Sequence, residues 1–180
     1  MALWSQASGA DEATHPSAAI LAGYSYNNSC NGLGPELPDY CDPYGVGFGL
    51  RIGVTFPFQL YLRGVVVYHL GYSLLDGGVK AHTWYPGGEA GFDLPLGPVI
   101  VRPYIGVGAV VFRLTAAPPP GATSPNHSES WVDPAVWPGV SVLVPIGHFF
   151  AGLDGYGIAA GPSDAGESTI GAFAMAGARL

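Results

Sequence analysis

The amino-acid sequence predicts an all-β fold, specifically an eight-stranded antiparallel up-and-down transmembrane β-barrel. Three observations indicate this class. Long segments alternate apolar residues with small or polar ones, charged residues are scarce, and short connections alternate with long polar ones along the chain. Together these features are typical of a sheet that closes on itself and crosses a membrane.

The composition supports a membrane barrel over a soluble domain. Of 180 residues, 48% are hydrophobic and 11% are charged, whereas a soluble domain averages about 25% charged residues. No run approaches the roughly 18 consecutive apolar residues of a membrane helix. An apolar chain without such a helix leaves two main options, a soluble β-barrel or sandwich and a membrane barrel.

The charge balance excludes one class of partner. The formal net charge is −7, with only six Lys and Arg scattered along the chain. Nucleic-acid binding depends on clustered Lys and Arg residues that neutralise phosphates, so we expect no nucleic-acid partner. The same scarcity of bases argues against attraction to an anionic membrane through a basic patch.

Two consecutive segments show the clearest alternation. The first carries small or polar residues on one face and apolar residues on the other, namely Gly45, Gly47, Gly49, Arg51, Gly53 and Thr55 against Val46, Phe48, Leu50, Ile52, Val54 and Phe56. The second repeats this from Leu60 to Tyr72. Six further segments lie at about 18–27, 79–94, 99–114, 131–144, 149–159 and 168–180. Most have the ~9–11 residues that a tilted membrane strand needs, against ~5–6 in an average soluble strand.

The connections predict which ends of the strands lie together. Tight turns occur near Pro57, at 95–98 and at 145–148, while longer polar connections occupy 28–42, 73–78, 116–130 and 161–167. This alternation is that of outer-membrane barrels, which have short periplasmic turns and longer extracellular loops. It predicts that both termini are periplasmic.

Charged residues on the strands follow the small and polar faces. An Arg or Lys that faces lipid at the midplane costs about 2–4 kcal/mol, whereas inside the barrel it can pair with a carboxylate. We therefore predict a lumen charge network of Arg51, Arg63, Glu89, Asp93, Arg102, Asp154 and Arg179. Because an eight-stranded barrel is only wide enough for its own side chains, we favour a structural plug over a proton or ion path.

Aromatic residues group near the two sets of connections. Phe56, Phe58, Phe92 and Phe149 lie beside the tight turns, and Tyr24, Tyr26, Tyr68, Tyr72, Trp84 and Trp131 lie near the long ones. Two aromatic girdles at the membrane boundaries are the prediction. The alternative is the ordinary aromatic core of a soluble β-fold.

Glycines on the lumen side, among them Gly106 and Gly108, leave room for long Arg and Tyr side chains.

Two features belong to the less regular parts of the chain. Cys30 and Cys41 share one polar segment, which favours a loop disulfide in an oxidising compartment; two free thiols are the alternative. Residues 1–16 are interpreted as an N-terminal extension that includes a signal-peptide remnant, because Ser8-Gly9-Ala10 has the small residues of a cleavage site. The barrel domain then spans residues 17–180.

No constellation predicts catalysis, a cofactor or a metal. His127 and Ser128 are adjacent, but they lie in a Pro-rich segment that is a poor platform for positioning. Acidic residues of the long connections suggest cation-bridged contact with lipopolysaccharide as a hypothesis.

Two segments resemble a known family. The run Arg102-Pro103-Tyr104-Ile105-Gly106-Val107-Gly108-Ala109 resembles the central strand motif of small OmpA/OmpX-like outer-membrane β-barrel domains, as does the closing run from Gly171 to Leu180. The resemblance covers nearly all of residues 17–180. It implies insertion by the barrel-assembly machinery, which reads a terminal aromatic where this chain has Leu180.

We therefore expect a non-enzymatic integral outer-membrane protein with a structural or surface-interaction role and a lumen plugged by a network of Arg, Asp, Glu and Tyr side chains. Its expected partners are outer-membrane lipid, lipopolysaccharide and the barrel-assembly machinery, and the sequence does not identify a partner for the loops. The alternatives are a narrow passive channel or a carrier of small hydrophobic molecules. A soluble lipocalin-like binding barrel and an outer-membrane lipid-modifying enzyme are further alternatives that the sequence favours less.

Overall fold

The computed structural model describes residues 14–27, 44–71, 73–74, 79–116, 127–161 and 167–180. Ten strands lie in these ranges: β1 (His15–Asn27), β2 (Gly45–Thr55), β3 (Leu60–His69), β4 (Ser73–Leu74), β5 (Val79–Phe92), β6 (Leu94–Leu96), β7 (Val99–Ala116), β8 (His127–Ile146), β9 (Phe149–Ala160) and β10 (Glu167–Arg179). Within the described ranges, no helix is long and apolar enough to cross a membrane.

The eight long strands form one closed antiparallel barrel. They pair in chain order from β1 to β3, from β3 to β5, from β5 to β7 and onward to β10, which pairs with β1. The two short strands extend hairpins: β4 pairs with the start of β5, and β6 pairs with the start of β7. The predicted eight-stranded up-and-down barrel is confirmed. Closure leaves no unpaired edge along the eight long strands.

Tight turns gather at one end of the barrel, called here the turn end. The turn after β2 is closed by the amide of Gln59, which donates to the carbonyl of Phe56 at 2.9 Å. The other two turns contain Gly97 and Gly147 at φ of 65° and 63°, a region that glycine adopts without a steric cost. β1 also begins and β10 also ends here, since the Leu180 amide donates to the Pro16 carbonyl at 2.9 Å.

The other ends of the long strands lie at the opposite end of the barrel, called the loop end. Several strands are longer than predicted. β8 begins at His127, and the segment from His127 to Ser130 pairs with the segment from Arg113 to Ala116 of β7. The prediction of a loop at 116–130 is wrong for those residues, because backbone pairing continues past the point where side chains become polar. β1 likewise begins at His15, inside the predicted extension.

Alternation along each strand separates an outer face from a lumen face. On β2, Arg51 is 1% exposed while its neighbour Ile52 is 60% exposed. The apolar residues of this strand therefore point outward, and the small and charged ones point inward. This is the reverse of a soluble barrel, whose apolar face fills the interior. The outward-facing side chains therefore give the barrel an apolar outer surface.

Glycines on the lumen face make room for bulky side chains. A Cβ at Gly106 would overlap the indole of Trp137, and one at Gly139 would overlap the phenol of Tyr104. Trp137 is fully buried as a result. The narrow interior is thus filled by pairing a glycine with a large side chain from the neighbouring strand.

Exposed aromatic residues occur on the outer face at both ends. At the turn end these are Phe58, Phe92 and Phe149, and at the loop end they are Tyr24, Tyr26, Tyr68 and Trp84. Trp131, which was predicted to belong to the girdle at the loop end, faces the lumen side of the wall instead. It shares the parity of the lumen residue Trp137 and stacks on the lumen-facing Phe112 at 5.9 Å between ring centroids. Tyr72 lies outside the described residues.

Replacing Gly106 tests the packing of the lumen. Gly106→Val should lower the free energy of unfolding by about 1–3 kcal/mol, because the added methyl groups must displace the indole of Trp137. Urea titration of the barrel folded into lipid vesicles measures this change.

Gly155→Val is the matched control, since a Cβ there faces outward and its nearest heavy atom is the Gly171 carbonyl oxygen at 4.0 Å. Equal losses in the two variants would contradict the packing described.

Candidate functional site

Six charged side chains of the predicted network are buried in the lumen. They are Arg51, Arg63 and Arg102 with Glu89, Asp93 and Asp154, and each is between 1% and 8% exposed. Three cations and three anions make the group formally neutral. The seventh predicted residue, Arg179, is half-buried at the end of β10 and forms no ion pair with another described residue.

Asp154 is the acceptor at the centre of the network. Arg51 Nη2 lies 2.8 Å from Oδ2, and the Tyr104 hydroxyl donates to the same oxygen at 2.9 Å. Ser141 Oγ donates to Oδ1 at 2.5 Å. The sheet register produces part of this arrangement, because Ser141 of β8 is directly opposite Asp154 of β9. The carboxylate therefore has a partner on each oxygen.

Glu89 is the second acceptor of the network and contacts both Arg63 and Arg51. It is directly opposite Arg63 across β3 and β5, and Arg63 Nε donates to Oε2. Trp137 Nε1 donates to Oε1 at 2.8 Å, and Arg51 Nη2 is 3.3 Å from the same oxygen. Arg51 therefore links both carboxylates. Arg51 Nε and both Nη atoms of Arg63 have no hydrogen-bond partner, so these guanidiniums depend on the ion pairs for compensation.

A separate ion pair lies toward the turn end. Arg102 Nε and Nη2 both donate to Asp93, the latter at 2.8 Å to Oδ2. Such a bidentate pair fixes the orientation of both groups.

Aromatic rings join the two ion-pair clusters. Arg102 Cζ is 3.5 Å from the centroid of Tyr61, and Arg63 Cζ is 5.4 Å from that ring and 4.5 Å from Tyr104. Arg51 Cζ is 5.3 Å from Tyr104 on the other side. Cations over ring faces are attracted by the ring quadrupole, the more so when water is excluded. Guanidiniums and rings thus form a continuous stack along the lumen.

Aromatic side chains fill the lumen between this network and the loop end. Tyr85 is 5.4 Å from Trp137 and 5.7 Å from Tyr156, between ring centroids. Tyr156 stacks on Phe173 at 5.6 Å, and Phe173 is 6.0 Å from His69. The lumen therefore has a charged part toward the turn end and an aromatic part toward the loop end, with Trp137 in contact with both.

The geometry offers no catalytic arrangement at the residues considered from sequence. His127 Nε2 lies 3.0 Å from Glu129 Oε1, whereas Ser128 bonds to Arg113 Nε at 3.3 Å on the other face of β8. His127 and Ser128 therefore do not form a base–nucleophile pair. Among the described residues, no group of three His, Cys, Asp or Glu is placed to hold a metal ion. Cys30 and Cys41 lie outside the described residues.

Sequence reasoning found the charges but missed most of their neutral partners. Tyr104, Ser141 and Trp137 each donate to a carboxylate, and Tyr61 stacks on Arg102. The sequence could have indicated Tyr104, because it lies two residues after Arg102 on β7 and therefore faces the same side of the wall. Which carboxylate each residue reaches depends on register across several strands, which one sequence does not specify.

Comparisons with known proteins agree with this geometry at the level of the fold. No protein-family profile and no curated protein matches the sequence. Among solved structures, a major outer membrane protein of Thermus thermophilus superposes with a TM-score of 0.69 at 16% identity, covering 93% of this chain and 100% of that one.

Two further structures give the same result. Ail of Yersinia pestis, in complex with the heparin analogue sucrose octasulfate, has a TM-score of 0.57 at 16% identity and covers 93% of this chain and 97% of that chain. The N-terminal β-barrel domain of Pseudomonas aeruginosa OprF has 0.51 at 14%, covering 89% and 96%. The chain thus has the fold of the small β-barrels of bacterial outer membranes. The structural resemblance to OmpA/OmpX-like barrels is confirmed in that sense.

Removing one carboxylate tests the network. Asp154→Asn should lower the free energy of unfolding by about 3–5 kcal/mol, because it leaves the buried Arg51 without its 2.8 Å partner. The measurement is urea-dependent unfolding in lipid vesicles, followed by tryptophan fluorescence.

Glu129→Gln provides the control, since its 3.0 Å contact with His127 is largely exposed to solvent and its loss should change stability little. A loss for Asp154→Asn no larger than that of the control would refute the role given to the network.

Proposed function

We propose that the chain is an integral, non-enzymatic protein of the bacterial outer membrane with a closed lumen and a structural or surface-interaction role. The single observation that carries this proposal is the opposite character of the two faces of the wall. Apolar side chains cover the outside, and a formally neutral set of buried charges occupies the inside.

The outer face supports the membrane location. Ile20, Val107 and Leu153, from three different strands, are each more than 60% exposed. An apolar surface that extends around a whole barrel far exceeds the patches that soluble monomers expose. Aromatic residues border it at both ends, as in the girdles of outer-membrane barrels. Among the solved structures named above, the major outer membrane protein of Thermus thermophilus, which has the same fold, adds support.

The lumen supports a closed barrel over the alternatives. Arg51, Trp137 and Tyr85 are at most 1% exposed, and they come from strands on different sides of the interior. A carrier of hydrophobic molecules needs an apolar cavity, whereas the middle of this lumen holds ion pairs. A soluble lipocalin-like barrel would need Phe48, Leu50 and Ile52 to point inward, and all three point outward.

The proposed orientation places the loop end outside the cell and both termini in the periplasm. It rests on the general arrangement of outer-membrane barrels, which have tight periplasmic turns and longer outer connections. In this orientation the long connections meet lipopolysaccharide and any surface partner. Ail of Yersinia pestis, which has this fold, is the attachment invasion locus protein, and its name is consistent with a surface-interaction role. Insertion would use the barrel-assembly machinery.

Reconstitution tests the membrane assignment and the closed lumen together. The refolded chain should float with lipid vesicles and run faster on a gel before heating than after it. In planar bilayers it should give no unitary conductance steps, because the charge network and the aromatic residues fill the interior.

An open porin inserted by the same procedure serves as the positive control for conductance. A detergent-free soluble monomer would contradict the membrane location. Discrete conductance steps from heat-modifiable, inserted protein would contradict the closed lumen and favour the channel.

A further inference from the structure

Two basic side chains stand apart from the lumen network. Lys80 on β5 and Arg113 on β7 face outward and are exposed, whereas Arg51, Arg63 and Arg102 are buried inside. The register brings the two together, because Arg113 is directly opposite His82 and Thr115 is directly opposite Lys80. The two residues are more than thirty positions apart in the sequence, so their proximity follows only from the strand register.

This patch of Lys80, His82 and Arg113 has an ordered aromatic surround. A depression of about 470 Å³ is lined by Tyr68, His82, Trp84, Arg113 and Thr115. The Tyr68 hydroxyl is 2.9 Å from His82 Nδ1, and the two rings stack at 5.8 Å. Arg113 Nε is held by Ser128 Oγ at 3.3 Å. The patch is thus shaped by neighbouring side chains on four strands.

The cations of the patch have no described anionic partner. Neither Lys80 nor Arg113 forms an ion pair with any described residue, and the nearby Glu129 is opposite Leu114, on the other face of the wall, where it pairs with His127. In a chain of net charge −7, positive charge that no described carboxylate pairs with, beside Tyr68 and Trp84, marks a place for an external anion. A guanidinium is suited to the two oxygens of a phosphate.

An apolar groove lies on the same wall, toward the middle of the barrel. It has a volume of about 590 Å³, and Ile52, Leu62, Ile105 and Val107 are among its lining residues. Gly64 and Gly88, directly opposite each other on β3 and β5, also line it and present no side chain outward. His82 and Gly88 lie on the same strand, about 20 Å apart at roughly 3.3 Å per residue.

The patch and the groove together match an anionic lipid. We propose that this wall binds one phosphate-bearing lipid of the outer leaflet, with its phosphate on Lys80, His82 and Arg113 and an acyl chain in the groove over Gly64 and Gly88. The inference rests on the proposed function, because only an inserted barrel with the loop end outside places the patch at headgroup level. Aromatic residues at that level are typical of the membrane boundary.

Lipid retention measured by native mass spectrometry tests the site. The probe is phosphatidylglycerol, mixed in equal parts with zwitterionic phosphatidylcholine in the vesicles from which the folded barrel is released. Wild-type protein should retain phosphatidylglycerol in preference. The double variant Lys80→Gln with Arg113→Gln loses two charge-assisted contacts and should retain at least about tenfold less, since one such contact alone corresponds to about that factor.

Gly88→Leu tests the groove without changing charge. A Cβ there has open space, with the Arg63 carbonyl oxygen at 3.8 Å as its nearest heavy atom, so the barrel should fold while the groove is filled. Retention should fall in this variant. Gly157→Leu on β9 is the matched control, because its Cβ would have the same 3.8 Å clearance, to the Thr169 carbonyl oxygen, and its retention should equal that of wild type.

Charge and phosphate controls separate the explanations. Arg179→Gln removes one positive charge at the turn end and should leave retention unchanged, as should added inorganic phosphate. Equal retention in wild type and the double variant would overturn the site. Release by inorganic phosphate, with no effect of Gly88→Leu, would also overturn it by showing a phosphate site without a lipid tail. If the chain does not insert at all, the proposed function itself fails and the lipid site fails with it.

Discussion

The ion pair between Arg51 and Asp154 is the interaction on which the rest of the lumen depends. The two residues come from β2 and β9, which are not neighbours in the sheet, so their 2.8 Å contact spans the interior. Arg51 also reaches Glu89, which binds Arg63 and Trp137. Because an unpaired charge in such an interior is costly, each of these side chains restricts where the others can lie. A set of formally neutral, interlocked contacts thus fixes how the side chains pack inside the barrel.

The outer wall obeys a different constraint, since most of it contacts lipid under the proposed function. Apolar side chains are favoured there, and cations are tolerated only near the ends of the strands. Lys80 and Arg113 satisfy this rule by their place at the loop end. Of the six basic residues, three are partners of lumen carboxylates, two lie at the level where lipid phosphates are expected, and Arg179 lies at the turn end.

The sequence predicted the strands, their inward faces and six of the charged residues of the lumen, but not the place of Arg179, because a period of two is visible along each strand and fades at its end. It did not predict the partners. Trp137 reaches Glu89, and Tyr104 reaches Asp154 from another strand, through register that alternation alone leaves open. Trp131 was misplaced because its proximity to a loop outweighed its parity. The patch at Lys80 and Arg113 was missed for the same reason as the partners, since its members meet only across β5 and β7.

A double-mutant cycle on Arg51 and Asp154, read as unfolding free energy in lipid vesicles, tests the central claim most directly. If the two side chains compensate each other in the lumen, adding Arg51→Gln to Asp154→Asn should recover part of the stability that Asp154→Asn alone loses. The coupling energy should then reach about 0.5–3 kcal/mol, the range for residues in contact. Strictly additive losses would show that the pair is not the constraint that holds the barrel interior together.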